Sequence, residues 1–130
     1  MKRTGILNVE LSARIARLGH TDLVCVADCG LPIPPDVPIV DLAVVAGLPR
    51  FADVLTALLD EVVVEGYVVA RETTGTPTEQ ILAGEIERLG DGTRIMHEAF
   101  KQKVSECAFV VRTGEATPYA NVLLRSGVPF

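Results

Sequence analysis

The apolar residues of this chain follow two spacings in turn along its length. Short continuous runs of Val, Leu, Ile and Ala are typical of strands that are buried on both faces of a sheet. Apolar residues repeated at i, i+4 and i+7 are typical of helices with one buried face. The runs predict strands at residues 23–27, 40–45, 62–70, 94–97, 108–112 and 122–124, and the repeats predict helices at residues 8–18, 49–58, 76–89 and 98–106.

Residues with strong backbone preferences mark where several of these elements begin and end. Asn8 is a favourable N-cap, and Gly19 can end the first helix because glycine adopts φ > 0 without a penalty. Thr76 and Glu79 have the spacing of a capping box, and Gly90 closes the helix that they open. Residues 30–35 contain three prolines, which exclude helix interior and predict an ordered loop.

The alternation of strands and helices predicts an α/β fold. We expect a single layered domain over residues 1–130, with a largely parallel sheet flanked by helices. If the strands that precede Asp28 and His97 are parallel, right-handed crossovers place both residues at a common edge of the sheet. α/β proteins tend to carry their chemistry at such an edge.

Composition narrows the class of protein further. Hydrophobic residues make up 48% of the 130 residues and charged residues 22%, and this apolar excess predicts a homo-oligomer with buried interfaces. A net charge of −5 without a basic run argues against nucleic-acid partners. No apolar run is long enough for a membrane span or a signal peptide. Three cysteines without metal-binding spacing indicate a reduced, cytoplasmic protein, in which Cys25 is a core residue.

His20 follows the predicted first helix and can be read in two ways. It can be a residue that caps the helix and interacts with its dipole. It can also be an acid–base catalyst, since histidine exchanges protons near neutral pH, and the nearby Asp22 or Asp28 would favour its charged form. Asp28 can form a turn with the amides of its own loop. It can instead accept a hydrogen bond from a sugar hydroxyl, or be the partner that orients His20.

Four further residues supply polar chemistry at predicted element ends. If a helix begins near His97, Lys101 lies on the same helix face. Tyr119 and Asn121 would share one face of an extended segment and offer donors and acceptors for a polyol. The alternatives are capping for His97, an exposed lysine for Lys101, and ordinary turn chemistry for the last two.

Several common motifs are absent from the chain. There is no GxGxxG or GxxxxGK[ST] loop for nucleotide phosphates and no GxSxG nucleophile. Two distant histidines do not make a metal site on their own. The remaining groups suit proton transfer on a hydroxylated small molecule, without a cofactor or metal.

Three stretches of the chain resemble the D-ribose pyranase family, which is found in ribose-utilisation operons. They are residues 5–22, which run from Gly-Ile-Leu-Asn to Leu-Gly-His-Thr-Asp; residues 28–34, Asp-Cys-Gly-Leu-Pro-Ile-Pro; and residues 97–101 with 112–121, His-Glu-Ala-Phe-Lys and Arg-Thr-Gly-Glu-Ala-Thr-Pro-Tyr-Ala-Asn. The likeness covers nearly the whole chain and is loosest over residues 64–91.

The resemblance implies a function and a set of site residues. It implies exchange between β-D-ribopyranose and β-D-ribofuranose, which supplies furanose for phosphorylation, without a cofactor. His20 would be the catalytic acid, and the sugar would be bound by Asp28, His97, Lys101, Tyr119, Ala120 and Asn121. It also implies ring-shaped oligomers, commonly decamers, with sites between subunits.

Three alternatives to this function stay open. They are a mutarotase of the L-fucose type, a ribose-binding protein without catalysis, and a nucleotide-binding signalling domain. The L-fucose mutarotases share the early Gly-His-x-Asp pattern but are not expected to carry the loop at residues 30–34, so that loop favours the ribose branch. The signalling domain has only the plausibility of a similar fold and lacks a phosphate-binding loop.

Overall fold

A computed structural model describes all 130 residues and contains one six-stranded sheet. The strands are β1 (Leu23–Ala27), β2 (Ile39–Asp41), β3 (Val64–Ala70), β4 (Asp91–Ile95), β5 (Phe109–Arg112) and β6 (Val122–Ser126). They lie in the order β2-β5-β1-β6-β3-β4. Five strands run parallel, and β6 runs antiparallel to both of its neighbours, β1 and β3.

Helices cover both faces of this sheet, so the predicted layered α/β fold is confirmed. Alternate side chains of β1 enter opposite cores, because successive strand residues point to opposite faces. The helices are α1 (Val9–Ile15), α2 (Phe51–Leu59), α3 (Pro77–Gly84), α4 (Ile86–Leu89) and α5 (His97–Lys103), and 3-10 turns lie at Arg71–Thr73 and Val104–Glu106. Val24 and Val26 of β1 pack with α1 and α2, and Cys25 and Ala27 pack with α5.

The antiparallel direction of β6 follows from the length of the segment before it. Strands β5 and β6 lie on either side of β1. A parallel return would require a crossover of about a dozen residues or more, usually a helix. Residues 113–121 are too few, so β6 runs in the opposite direction. Its first residue therefore lies at the edge of the sheet where the parallel strands end.

The first helix is shorter than its spacing predicts. Asn8 caps it as expected and accepts a 2.8 Å hydrogen bond from the Leu11 amide. The helix ends at Ile15, however, and Gly19 does not take the positive φ of a helix-ending residue. Thr21 adopts that conformation, with φ of 70°. His20 therefore lies in a separate turn, and the interpretation of His20 as a helix cap is wrong.

The predicted start of α3 is correct, but the two side-chain hydrogen bonds of the predicted capping box do not form. Thr76 is the N-cap and Pro77 is the first helical residue, but the Thr76 hydroxyl donates back to Thr73 at 2.6 Å. The Glu79 carboxylate reaches the Gly75 amide, at 2.8 Å. The surroundings of Thr76 and Glu79 in the fold determine which hydrogen bonds form. The spacing of the residue types indicates only which bonds are possible.

Other element boundaries also differ from the predictions. Strand β2 ends at Asp41 instead of continuing to residue 45, and Pro49 precedes the N-cap Arg50 of α2. Strand β4 starts at Asp91, three residues before the predicted strand, so His97 begins α5 and does not end a strand. Strand periodicity is weak in β4 because this edge strand is largely exposed.

Two cysteines are core residues, as predicted for Cys25. Cys25 and Cys107 are both buried beneath α5. Burial raises the pKa of the Cys25 thiol well above its ordinary value and that of Cys107 to about 12. Both are therefore thiols at neutral pH and are inert as nucleophiles. None of the helices has the length and apolar character needed to cross a bilayer.

Gly90 gives a stability test of the link between α4 and β4. It adopts φ of 71° and ψ of −147°, and a Cβ here would collide with the Glu65 carbonyl. This region of backbone space is essentially restricted to glycine, so Gly90→Ala should lower the free energy of unfolding by ~1–3 kcal/mol. The exposed helical Gly84 has no atom near its Cβ position, and Gly84→Ala should raise stability by ~0.5–1 kcal/mol. Urea denaturation of both variants measures the change in unfolding free energy, which should have opposite signs in the two. Equal changes would contradict this explanation of Gly90.

Candidate active site

An open cleft lies at the edge of the sheet where the parallel strands end. Asp28 follows β1 and His97 follows β4, so the predicted common edge is confirmed. The segment before β6 forms the opposite wall. The cleft has a volume of about 380 Å³, within the usual range for ligand sites. It is lined by Asp28, Cys29, Gly30, Leu31, Pro32, His97, Glu115, Ala116, Thr117, Pro118 and Tyr119.

Asp28 is held in the cleft by a reciprocal pair of hydrogen bonds with Asn121. The Asp28 amide donates to Asn121 Oδ1 at 2.9 Å, and Asn121 Nδ2 donates to Asp28 Oδ2 at 2.8 Å. The Gly30 amide donates to Asp28 Oδ1 at 2.9 Å, which is the Asx-type turn foreseen for this residue. Asn121 is buried, so its side chain forms the support behind the carboxylate.

The His97 ring is fixed by two aromatic neighbours. It stacks on Phe100 with a centroid distance of 6.4 Å, and Tyr119 meets it edge-on at 5.1 Å. Its Nδ1 is buried and has no hydrogen-bond partner within the protein. Buried polar atoms are normally hydrogen-bonded, so this nitrogen retains an unused capacity to bind.

The short 3-10 turn after β3 positions both aromatic residues, and the sequence interpretation missed it. The Glu72 carboxylate accepts from the His97 amide at 3.0 and 3.2 Å. The Thr73 hydroxyl donates to the Tyr119 carbonyl at 3.3 Å. An acidic residue that caps a helix from a distant segment leaves no local signal, since its partner lies far away along the chain.

Tyr119 takes a backbone conformation that the sequence does not reveal. Its φ is 63°, so residues 119–121 are not extended. The expectation that Tyr119 and Asn121 share a strand face is wrong, because the turn directs Tyr119 toward His97 and Asn121 toward Asp28. Ala120 between them is buried.

Glu115 organises the wall opposite Asp28. Its carboxylate accepts from the amides of Ala116 and Thr117, from the Thr117 hydroxyl at 2.9 Å, and from the Phe51 amide at the start of α2. Burial acts to raise the pKa of Glu115, but the bonds from Thr117, Phe51 and Ala116 together lower it. Its carbonyl accepts from the Cys29 amide at 2.9 Å, which ties this wall to the proline-rich loop.

Lys101 lies in a groove that adjoins the cleft. Helix α5 begins at His97, so His97 and Lys101 lie on the same face of this helix, as predicted. Lys101 Nζ is 2.6 Å from Glu98, and the two line the groove together with Pro32, which also lines the cleft. Lys101 is thus near the cleft but outside its wall.

His20 lies at the opposite edge of the sheet. Its Nε2 is 2.8 Å from Glu65 Oε2, near the start of β3. Arg125 Nε is 2.9 Å from the other oxygen of the same carboxylate. Asp22 does not contact the ring; its carboxylate accepts from the Gly19 amide at 2.8 Å. The carboxylate partner of His20 is therefore Glu65, which sequence reasoning did not identify.

The length of β1 separates His20 from the cleft within one chain. Strand residues rise about 3.3 Å each, so the five of β1 put roughly 16 Å between its two ends. The expectation that Asp28 orients His20 in the same subunit is wrong for this reason. Within one subunit, the acid–base candidate and the sugar-binding candidates form two separate groups.

A larger groove of about 560 Å³ lies elsewhere and has a different character. Its lining is mostly aliphatic, and Asp53 is its one titratable residue. Volume alone would favour this groove as the site, but it lacks paired acid and base groups. It is lined by Ile6, Leu7, Asn8, Leu11, Leu42, Val44, Leu48, Pro49, Asp53, Val54 and Ala57.

A family model described as "RbsD / FucU transport protein family" matches residues 1–129. The chain belongs to this family. The match spans both the cleft and the His20 turn, so both groups of candidate residues lie within the matched range.

Three proteins illustrate what the chain is similar to. The chain is 52% identical over 130 residues to the D-ribose pyranase of Cutibacterium acnes, with the whole of both chains covered. It is 39% identical to Bacillus subtilis RbsD complexed with D-ribose, with a TM-score of 0.94 and full coverage of both chains. The fucose mutarotase of Streptococcus pneumoniae, complexed with L-fucose, has 20% identity, 95% coverage of each chain and a TM-score of 0.80, which shows a shared fold.

The Asp28–Asn121 pair predicts a stability effect within this family fold. Asn121→Ala removes both hydrogen bonds of the pair and leaves the Asp28 amide unsatisfied. The loss should cost ~1–3 kcal/mol of unfolding free energy. The exposed Gln102 makes no side-chain hydrogen bond, so Gln102→Ala should change stability by less than ~0.5 kcal/mol. Chemical denaturation of both variants measures the difference. A wild-type midpoint for Asn121→Ala would contradict the role of this pair.

Proposed function

We propose that this chain is a D-ribose pyranase, an isomerase that exchanges the six-membered and five-membered ring forms of D-ribose. The observation that carries the proposal is the 52% identity over the full length of both chains to a D-ribose pyranase. The close likeness in fold to an RbsD complexed with D-ribose supports the same sugar. The cleft adds the chemistry that such a substrate requires.

The reaction opens one hemiacetal and closes another. The bond between the anomeric carbon and the ring oxygen breaks, the ring oxygen takes a proton, and the anomeric hydroxyl loses one as the carbonyl forms. A different hydroxyl then attacks the carbonyl carbon, gives up its proton, and the carbonyl oxygen is protonated. Protons are only moved, so no oxidant or cofactor takes part. A positioned acid contributes ~10²–10⁴-fold to such a step.

Each candidate residue has a role that suits this chemistry. His20, as imidazolium, gives the proton to the ring oxygen. Asp28 binds sugar hydroxyls through its carboxylate, held by Asn121. His97 and Tyr119 form an aromatic wall beside Asp28. Lys101 and the Ala120 backbone complete the proposed sugar-binding set.

The separation of His20 from the cleft implies a site shared between subunits. We propose that His20 of one subunit completes the cleft of a neighbour in a cyclic homo-oligomer, with a decamer as the expected size. Exposed aliphatic residues support assembly: Leu7, Val44 and Leu48 line the 560 Å³ groove and are each more than half exposed in the single chain. Residues 1–130 would act as one domain of a cytoplasmic enzyme.

His20→Ala tests the proposed acid directly. The variant should lose at least ~10²-fold of the protein's acceleration of ribose ring exchange, because the proton donor is gone. Saturation-transfer NMR between ribopyranose and ribofuranose signals measures the exchange, and circular dichroism checks the fold. Wild-type rates in a folded variant would remove His20 from the mechanism.

The same measurement across three sugars separates the alternative functions. A D-ribose pyranase accelerates ring exchange of ribose far more than that of fucose or allose. Preferential acceleration of fucose would indicate the fucose-type mutarotase. Ribose binding by calorimetry without any acceleration would indicate a binding protein.

A mixing experiment tests the shared site. His20→Ala and Asp28→Asn subunits should each be inactive alone, but refolding them together should restore about a quarter of wild-type activity, since random assembly pairs two intact halves at that frequency. Co-refolded His20→Ala with wild type provides the control for dilution. No recovery in mixed oligomers, checked by native mass spectrometry, would mean that both residues act within one subunit.

A further inference from the structure

We propose that Glu65 is a positioning residue for His20: its carboxylate holds the Nε2–H of the imidazole and leaves Nδ1 as the nitrogen that transfers the proton to the sugar. The inference rests on the proposed function for the sugar step. The orientation of the ring is a claim about the structure that can be measured without any substrate.

The hydrogen bond between the two side chains determines which ring nitrogen is engaged. Glu65 Oε2 lies 2.8 Å from His20 Nε2. A carboxylate can only accept, so Nε2 carries the hydrogen in this contact. Nδ1 of His20 makes no hydrogen bond within the chain, and the His20 side chain is 54% exposed. The free nitrogen is therefore the one that a bound molecule can reach.

An irregularity in the sheet places Glu65 beside His20. The register between β3 and β6 shifts between Val64 and Gly66, so Glu65 is the extra residue of a β-bulge. Bulges redirect a side chain and are frequent next to active sites. In a regular ladder Glu65 would pair with a residue of β6. In the bulge, Val64 and Gly66 are paired with β6 and Glu65 is not.

Arg125 holds the other side of the same carboxylate. Its Nε is 2.9 Å from Glu65 Oε1. Arg125 pairs with Gly66 across the sheet, and a Cβ on Gly66 would lie only 3.0 Å from the guanidinium. The absence of a side chain at Gly66 thus leaves room for Arg125 to reach Glu65. With both oxygens engaged, the carboxylate has a defined orientation toward His20.

The charges around this contact keep Glu65 ionised. The hydrogen bond from His20 is the main cause that lowers the pKa of Glu65, and the Arg125 guanidinium lowers it further. Asp22 faces the preceding turn, where it binds the Gly19 amide. Asp91 and Lys103 line a neighbouring hollow together with Arg125. Glu65 is the one carboxylate in direct contact with the His20 ring.

Two substitutions separate orientation from charge. Glu65→Ala removes both the acceptor and the charge, whereas Glu65→Gln keeps an amide oxygen that can still accept from Nε2. Glu79→Gln is the matched control, since Glu79 is also paired with an arginine and its side chain is 35% exposed, against 33% for Glu65. Backbone amide NMR spectra establish that each variant is folded.

The first readout is the tautomer of His20, measured by long-range proton–nitrogen NMR of the rings. The chain has two histidines, so His97→Gln leaves the signals of His20 alone. In wild type and Glu79→Gln, the neutral ring should carry its hydrogen on Nε2. Glu65→Gln should keep this form, and Glu65→Ala should give a mixture of both tautomers.

The second readout is the rate of ribose exchange. Glu65→Ala should lose roughly 10-fold or more, a part of the ~10²–10⁴-fold that a positioned acid supplies. Glu65→Gln should lose less than Glu65→Ala, because its amide oxygen can still accept from Nε2 and hold the ring. Glu79→Gln should match wild type in rate.

The outcomes distinguish this inference from the proposed function. An unchanged tautomer and unchanged exchange in folded Glu65→Ala would overturn the role of Glu65 while leaving a working pyranase. Loss of exchange with an unchanged tautomer in both variants would also overturn it. A wild type that does not accelerate ribose exchange would refute the proposed function, and the tautomer would still report on the contact.

Discussion

The antiparallel strand β6 in the middle of an otherwise parallel sheet is the constraint on which the candidate site depends. Because it runs against its neighbours, its two ends reach opposite edges of the sheet. Asn121 precedes its start and holds Asp28 in the cleft. Arg125, near its end, holds Glu65 beside His20. Both groups of site residues are thus joined to one strand whose backbone is bonded on both sides.

Most of the cleft is fixed by contacts from side chain to backbone. Asp28, Glu72 and Glu115 each accept from amides of segments that otherwise have no regular partners. Such bonds position loops without filling the cleft, so polar groups remain at its surface. Phe100 beneath His97 belongs to the core on the α5 face, and it links the ring orientation to the packing of that helix. The site is therefore rigid where it contacts the fold and open toward solvent.

The separation of the two candidate groups within one subunit is the physical reason for the proposed assembly. His20 at one edge of the sheet cannot reach a ligand in the cleft at the other edge, across the length of β1. In the proposed oligomer a neighbouring copy would bring the two edges together, and burial of exposed aliphatic residues on the α1 side of the molecule would stabilise that contact. Assembly and catalysis would then be linked, since an isolated subunit holds only half of the proposed site.

Local patterns in the sequence determined a good deal of this structure. Apolar runs located β1 to the residue and the alternation of elements gave the α/β class, because burial on both faces leaves a continuous signal. The resemblance implied His20 and, among the residues that line the cleft, Asp28, His97 and Tyr119. The tertiary structure alone decided the strand order, the early end of α1, and the partners Glu65, Glu72 and Arg125. Strand pairing and these side-chain contacts join residues far apart in the chain, and neither spacing nor propensity encodes which distant residues meet.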